Sequence, residues 1–163
     1  MRLFAAIQLS EELKASITGK LHEFKKNGVR GDYVPTQNLH LTLAFIGELK
    51  DASAVKAAMQ NIKFKPFRLS LSDMGTSRDT LWVGVKGNQG LNGLARDIRE
   101  ALDSAGIAYD KEKFVPHIPI IRKVTGNWKI GSFPRGEMMV NKISLMKSET
   151  KDGKRACTEI FSI

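Results

Sequence analysis

The chain has 163 residues, of which 42% are hydrophobic and 26% are charged. These are ordinary values for a globular protein, and this length suffices for one domain or for two small lobes that share one fold. A disordered chain, a fibrous chain and a multi-domain assembly are therefore excluded. The longest early apolar run, residues 3–9, is interrupted by Gln8 and is too short for a membrane span or a secretory signal.

The sequence is strongly basic, with 26 Lys and Arg against 17 Asp and Glu and a net charge of +9. Residues 111–155 contain 11 basic and 4 acidic side chains and so contribute +7. A basic surface favours polyanions such as the phosphates of nucleotides or RNA, although solubility alone also accounts for it. The single cysteine, Cys157, permits neither an internal disulfide nor a multi-thiolate metal site. We therefore expect a cytoplasmic protein.

The first half of the sequence predicts alternating strands and helices. Hydrophobic periodicity indicates a strand over 3–7, a helix over 11–27, a strand over 39–45, a helix over 51–62 and a strand over 67–71. Ser10 can cap the first helix and Gly28 can follow its end. A loop that contains Tyr33 and Pro35 then leads to the second strand.

The second half repeats this order of elements. We predict a strand over 81–85, a helix over 91–105, a strand over 114–120, and closing strands over 140–145 and 157–163 that flank a charged loop, Ser148 to Arg155. Leu3 precedes His40 by 37 positions and Leu81 precedes His117 by 36, which indicates a weak internal duplication. We expect the two halves to pack as one body, a single domain spanning 1–163.

Each of the two corresponding strands contains a histidine. Because residues two apart share a face of a strand, His40 and Thr42 should face a cleft. The opposite, core face should then contain Leu39, Leu41, Leu43 and Phe45. By the same rule Ile118 and Ile120 should be buried, and His117, Pro119 and Ile121 should lie on the other face. A lone strand histidine is usually structural, but two on corresponding strands favour paired acid–base chemistry. The third, His22, is expected on the surface of the first helix.

The segment around His40 resembles the H-x-T-x signature of the two-histidine phosphoesterases. The resemblance is to the 2′-5′ RNA ligase-like branch, which hydrolyses RNA 2′,3′-cyclic phosphates, and it covers almost the whole chain. Three stretches carry it: residues 2–7, residues 38–48, and Pro116 with His117. We therefore expect an α+β fold of two pseudo-symmetric lobes, each an antiparallel sheet backed by helices, with a central cleft. We expect a monomer.

The resemblance also implies roles for individual residues. His40 would donate a proton to the leaving ribose oxygen and His117 would accept one from water, which gives a 2′-phosphate; the residues themselves do not distinguish the two roles. Thr42 and Arg122 would bind the phosphate. The implied partners are RNA ends or nucleotides with a cyclic phosphate, and no cofactor, metal, membrane or obligate protein partner is expected. In reverse, the same site would join RNA ends through a 2′-5′ bond.

Pro119 departs from the family pattern, which has Thr or Ser at this position. Proline offers neither a hydroxyl nor a backbone N–H, so a bound phosphate loses a donor. A missing hydrogen bond to a charged group costs roughly 1.5–3 kcal/mol, or about ten- to hundredfold in rate. The alternatives are therefore a slow cyclic phosphodiesterase, a binding module for RNA ends or nucleotides that has lost catalysis, and a sibling enzyme acting on another substrate such as ADP-ribose 1″,2″-cyclic phosphate.

Several other side chains have two interpretations each. Phe4, Tyr33 and Trp82 are candidates for stacking on a base, but core or rim packing explains each of them equally well. A basic set near the carboxyl end either guides a polyanion or is an ordinary solvated loop face: Lys147, Lys151, Lys154 and Arg155.

Overall fold

A computed structural model describes residues 1–163 as nine strands, three α-helices and one short 3₁₀ turn. The strands are β1 (Arg2–Gln8), β2 (Arg30–Tyr33), β3 (His40–Glu48), β4 (Phe67–Ser77), β5 (Thr80–Val85), β6 (His117–Thr125), β7 (Glu137–Val140), β8 (Ser144–Lys151) and β9 (Lys154–Ser162). The helices are α1 (Glu11–Lys26), α2 (Ser53–Gln60) and α3 (Gln89–Ser104), and the 3₁₀ turn is Thr36–Asn38.

The strands form two antiparallel sheets. The first sheet has the order β3-β1-β8-β9, and the second has the order β2-β6-β5-β4-β7. Strand β4, from the first half of the chain, pairs with β5, while β8, from the second half, pairs with β1. Each half thus supplies strands to the sheet of the other half. This architecture confirms the expected α+β fold with antiparallel sheets and helices.

The main core lies between the sheets and the helices and joins 32 buried residues into one cluster. Helix α1 faces it with apolar side chains at helical spacing, as predicted: Leu13, Ile17, Leu21 and Phe24. The Ser10 hydroxyl accepts a hydrogen bond from the Leu13 N–H at 3.2 Å and so caps the helix. Gly28, at φ +77°, lies just beyond the C-terminal end, where a left-handed residue is needed.

The other face of the first sheet carries a smaller apolar cluster of Phe4, Ala6 and Met146, with Phe45 and Cys157 packed against it. We call this the cleft face. The sheet curls around it, because Asn38, directly before edge strand β3, donates from Nδ2 to the Arg155 carbonyl on the opposite edge strand β9 at 2.9 Å. The cleft face is therefore the concave face of this sheet, and the face that packs on the main core is its convex side.

Two predictions about loops were wrong. Residues 148–155, predicted as a charged loop, belong to β8 and β9, which pair up to Lys151 opposite Lys154 and are joined by a tight turn. Charged side chains are common on edge strands such as β9 because they discourage pairing with other chains, so a high charge density does not exclude a strand. The loop before His40 contains the short strand β2, whose pairing with β6 supplies hydrogen bonds that its polar sequence did not reveal.

No helix in the structure combines the length and the apolar character needed to cross a membrane.

Candidate active site

Strand β3 contains a β-bulge three residues after His40. Ala44 lies opposite Ala5 and Thr42 lies opposite Ala6, so Leu43 is an extra residue without a partner. His40 and Thr42 stay on the cleft face, as predicted. The bulge then reverses the alternation, so Phe45 lies opposite Phe4 on the cleft face and not on the core face. The prediction for Phe45 was therefore wrong, because strict period two does not survive an inserted residue.

Strand β6 contains a matching bulge three residues after His117. Ile121 pairs with Leu81 and Pro119 pairs with Trp82, which leaves Ile120 as the extra residue. Ile121 was expected beside His117 but is fully buried in the main core. The same bulge returns Arg122 to the face of His117, although five positions separate them and simple alternation would have placed them on opposite faces.

The two histidine rings are held in the same way. The Nδ1 of His40 is 2.6 Å from the Asn38 carbonyl oxygen, and the Nδ1 of His117 is 2.6 Å from the Val115 carbonyl oxygen. A carbonyl oxygen can only accept, so each Nδ1 carries the hydrogen and each Nε2 is left to exchange a proton. Two equivalent imidazoles with the reactive nitrogen free suit one acid and one base.

His40 lies in a more buried and more positive environment than a free imidazole. Burial is the largest cause that lowers the pKa of His40; the hydrogen bond to Asn38 opposes this, and the charges of Arg122 and Arg155 lower the pKa further. Phe4 stacks on the ring with centroids 4.7 Å apart, which fixes its plane. The neutral form is thus favoured until an anion arrives beside the two arginines.

Thr42 and His117, from different sheets, line one small cavity of about 140 Å³. A polar contact joins its walls. The N–H of Asp110 donates to the Phe45 carbonyl at 2.8 Å, which ties the segment before β6 to β3. The structure therefore places Thr42 and His117 in the same cavity. Arg122 is close enough to His40 for its charge to lower the pKa of that imidazole.

Arg99, on helix α3, links β3 to the segment that precedes β6 and was not identified from the sequence. Its Nη1 donates to the Glu112 carbonyl at 2.8 Å, and its Nε points to the carbonyl of the bulged Leu43 at 3.4 Å. The guanidinium also lies 5.8 Å from the centre of the Phe114 ring. No sequence pattern distinguishes this arginine from the other charged residues of α3.

Pro119 lies in the middle of the second sheet without breaking a ladder. It faces Trp82 on β5, while on its other side β2 ends with Tyr33 opposite Ile121 and a last bond from the Val34 N–H to the Ile120 carbonyl. The missing N–H therefore falls at the end of a ladder, where proline is tolerated. Pro119 corresponds to Thr42 in the other strand, since each stands two residues after its histidine and directly before a bulged residue.

The three aromatic candidates have different positions. Phe4 is only 3% exposed and stacks on His40, so its ring supports the imidazole and is closed to a base. Tyr33 packs against the main core, donates its hydroxyl to the Val29 carbonyl at 2.7 Å and is covered by Lys25, so it is away from the cleft face. Trp82 is only partly buried and lies beside His117, with its ring edge-on to the imidazole at 6.0 Å, so it alone of the three remains a candidate for stacking.

Comparison with known proteins agrees with this geometry. The model of the 2′-5′ RNA ligase superfamily matches residues 9–152. An RNA 2′,3′-cyclic phosphodiesterase of Archaeoglobus fulgidus is 29% identical over 163 aligned residues, which cover 91% of each chain. The protein of the same name from Escherichia coli is 34% identical over 128 residues, covering 74% of this chain and 71% of its own.

The fold is also that of a solved relative. The crystal structure of E. coli LigT in apo form matches with a TM-score of 0.86 at 29% identity, covering 99% of this chain and 95% of LigT. LigT has also been crystallised with 3′-AMP, NADP⁺ and ATP. The chain therefore belongs to the 2′-5′ RNA ligase superfamily, and the expected family and the cyclic phosphodiesterase class of its relatives are confirmed.

Proposed function

We propose that this protein is a cytoplasmic RNA 2′,3′-cyclic phosphodiesterase that hydrolyses a terminal cyclic phosphate to a 2′-phosphate, with the whole chain acting as one domain. The observation that carries the proposal is the matched anchoring of His40 and His117, each through Nδ1 to a carbonyl two residues earlier. This anchoring leaves both Nε2 atoms to act on the same phosphorus from opposite sides. The names of the relatives support the choice of substrate.

In this mechanism a water molecule attacks the phosphorus in line with the P–O3′ bond. His117 takes the proton of the water at Nε2 as the new P–O bond forms, and His40 gives its Nε2 proton to the departing 3′-oxygen. Thr42 and Arg122 hold the non-bridging oxygens, on which negative charge increases. The bound phosphate also raises the pKa of His40 from its lowered value, because an anion favours the protonated imidazole. Proton exchange with solvent then restores the starting protonation states of His40 and His117.

The test compares the three histidines of the chain. We expect His40→Ala and His117→Ala each to lower the hydrolysis of a dinucleotide with a 2′,3′-cyclic end by about 10²–10⁴-fold. His22→Ala, on the exposed side of α1, is the matched control and should behave as the wild type. Thermal melting of each variant checks that the fold is intact. Full activity in either His40→Ala or His117→Ala would remove the acid–base pair.

With a 5′-hydroxyl RNA end in place of water, the same site would act as a 2′-5′ ligase: the 5′-oxygen forms the new bond to phosphorus, the P–O3′ bond breaks, and His117 and His40 keep their roles as base and acid. Gel separation measures both directions of this reaction. One incubation follows cleavage of an RNA that contains a 2′-5′ linkage, and the other follows the joining of an end with a cyclic phosphate to a 5′-hydroxyl end. A joined product that depends on His40 and His117 supports ligation, and its absence at high RNA concentration limits the protein to hydrolysis.

The second candidate is a binding module, which Pro119 favours because the second motif offers no hydroxyl to the phosphate. This candidate predicts that a dinucleotide with a cyclic end binds in a titration but is not turned over at pH 6 or pH 8. The enzyme predicts turnover at one of these pH values. Comparison with ADP-ribose 1″,2″-cyclic phosphate in the same assay tests the sibling substrate.

A further inference from the structure

We propose that Arg2 and Arg155 bind a second phosphate group, the phosphodiester on the 5′ side of the terminal nucleotide, so that the protein prefers RNA chains to cyclic mononucleotides. This inference rests on the function proposed above and adds a substrate class to it. Arg2 and Arg155 line a pocket that the reaction itself does not use.

The pocket lies beside the reaction cavity and is separate from it. It has a volume of about 450 Å³ and is lined at the open end of the first sheet by residues of β1, β8 and β9, among them Arg2, Lys147, Thr150 and Arg155. Neither histidine lines it. The smaller cavity with Thr42 and His117 contains none of these basic residues. The protein therefore offers two separate polar depressions, one lined by Thr42 and His117 and the other by Arg2 and Arg155.

The arginines of this region lack acidic partners. The two carboxylates of the pocket contact other positive groups: Glu48 is 3.0 Å from the Met1 amino group, and Glu149 is 3.7 Å from Lys147 and 3.4 Å from Lys151. Arg2 and Arg155 form no ion pair with any carboxylate, and neither does Arg122.

Arg2 and Arg155 lie close enough to Arg122 for their charges to act on it. Burial, followed by the charges of Arg155 and Arg2, lowers the pKa of Arg122. Like charges without counter-ions raise the energy of the free protein, and a bound polyanion relieves this repulsion. The charge of Arg155 also lowers the pKa of His40. The arginines therefore form a positive region that extends from the second pocket to the catalytic candidates.

The fold fixes both proposed ligands. Arg2 and Arg155 lie on the cleft face, because Arg2 is opposite Ser148 on β8 and Arg155 is opposite Thr150 two residues further along that strand. The guanidinium of Arg2 packs over the Phe45 ring at 5.1 Å. The backbone of Arg155 is held by Asn38 at 2.9 Å. The Arg2 guanidinium and the backbone of Arg155 are thus held in place, and the guanidinium group of each is suited to the forked oxygens of a phosphate.

The chemistry of the substrate determines on which side of the cyclic end the next RNA phosphate lies. In an RNA that ends in a 2′,3′-cyclic phosphate, every other phosphate lies on the 5′ side of that end. When the cyclic phosphate is at the histidines, the next phosphodiester must leave the reaction cavity, and the arginine pocket is the adjoining positive surface. A cyclic mononucleotide has no group to place there.

The experiment measures the preference for a dinucleotide over a mononucleotide as a ratio of two kcat/KM values. We compare kcat/KM for 2′,3′-cyclic AMP with kcat/KM for the dinucleotide ApA that ends in a 2′,3′-cyclic phosphate. We expect the wild type to prefer the dinucleotide, and Arg2→Gln and Arg155→Gln each to reduce this preference by about tenfold, the effect of losing one charge-assisted hydrogen bond. The ratio is the readout because Arg155→Gln also changes the charge near His40 and so alters both rates. Arg2→Lys should restore part of the preference.

Arg96→Gln, on the exposed surface of α3, is the matched control for the loss of one positive charge and should keep the wild-type ratio. Equal losses with both substrates in Arg2→Gln and Arg155→Gln would overturn the second phosphate site and leave the cyclic phosphodiesterase in place. A wild type that hydrolyses neither substrate would instead overturn the proposed function. Thermal melting of each variant separates these outcomes from unfolding.

Discussion

Replacement of Pro119 by threonine should accelerate hydrolysis of a cyclic phosphate. Residue 119 lies on the same face of β6 as His117 and stands in the place that Thr42 occupies relative to His40. A threonine there would add a hydroxyl donor to the phosphate on the side where none exists. One hydrogen bond to a charged group contributes roughly 1.5–3 kcal/mol, which corresponds to a rate increase of about ten- to hundredfold when it forms only in the transition state.

The substitution also has a cost in stability that can be separated from the rate. Because the ladder with β2 ends before this position, threonine gains no strand partner on that side. Loss of the proline constraint on the unfolded chain lowers the free energy of unfolding by about 0.4–1 kcal/mol. At this chain length we expect a fall in Tm of about 1–4 °C.

Pro119→Val is the matched control, since valine has the shape of threonine without the hydroxyl. The assay is steady-state hydrolysis of the cyclic dinucleotide at several pH values for wild type, Pro119→Thr and Pro119→Val. Threonine should exceed valine by the stated factor. If the two variants have equal rates, the hydroxyl contributes nothing, and the site has adapted to proline by another arrangement of donors.

Three further predictions concern the surroundings of the site. The imidazole pKa of His40, followed by NMR, should lie below its usual value in the free protein and should rise with inorganic phosphate or with Arg155→Gln, since each change reduces the positive potential at the ring; a fall in either case contradicts the assignment. Arg99→Leu should lower kcat by about tenfold or more and stability by about 1–3 kcal/mol, because the partly buried Leu43 carbonyl loses its donor, with partial recovery in Arg99→Lys; wild-type kinetics would show that Arg99 does not position β3 against the segment before β6. Gly75→Ala should lower stability by about 1–3 kcal/mol, measured by thermal melting and indole fluorescence, because its Cβ would lie 2.6 Å from the Trp82 ring; an unchanged melting curve would mean that the ring moves freely.

Local periodicity predicted most of the strands and helices. The alternation around His40 and the helical spacing in α1 and α3 both reflect a single buried face, so they are visible in the sequence. A bulge is different, because it changes the face of every later residue without changing the residue types. This is why Phe45 and Ile121 were assigned to the wrong faces, while the face of Arg122 could only be inferred from resemblance.

The remaining errors involve contacts between residues distant in sequence. Strand β2 is short and polar, and it forms because β6 offers it hydrogen bonds from the other half of the chain. The pairing of Ser148 with Cys157 similarly depends on the turn that follows β8, while the charged composition of this segment favoured a loop. Arg99 is recognisable only once α3 is placed against the two motif strands.

The exchange of strands between the two halves limits how the molecule can move. Rotation of one half of the sequence against the other would have to break the hydrogen bonds between β4 and β5 and between β1 and β8, because each pair joins strands from different halves. No flexible connection at the middle of the sequence can therefore serve as a hinge. Motion between the two sequence halves therefore does not set the width of the gap, and any change in that width has to come from movement of one intact sheet against the other.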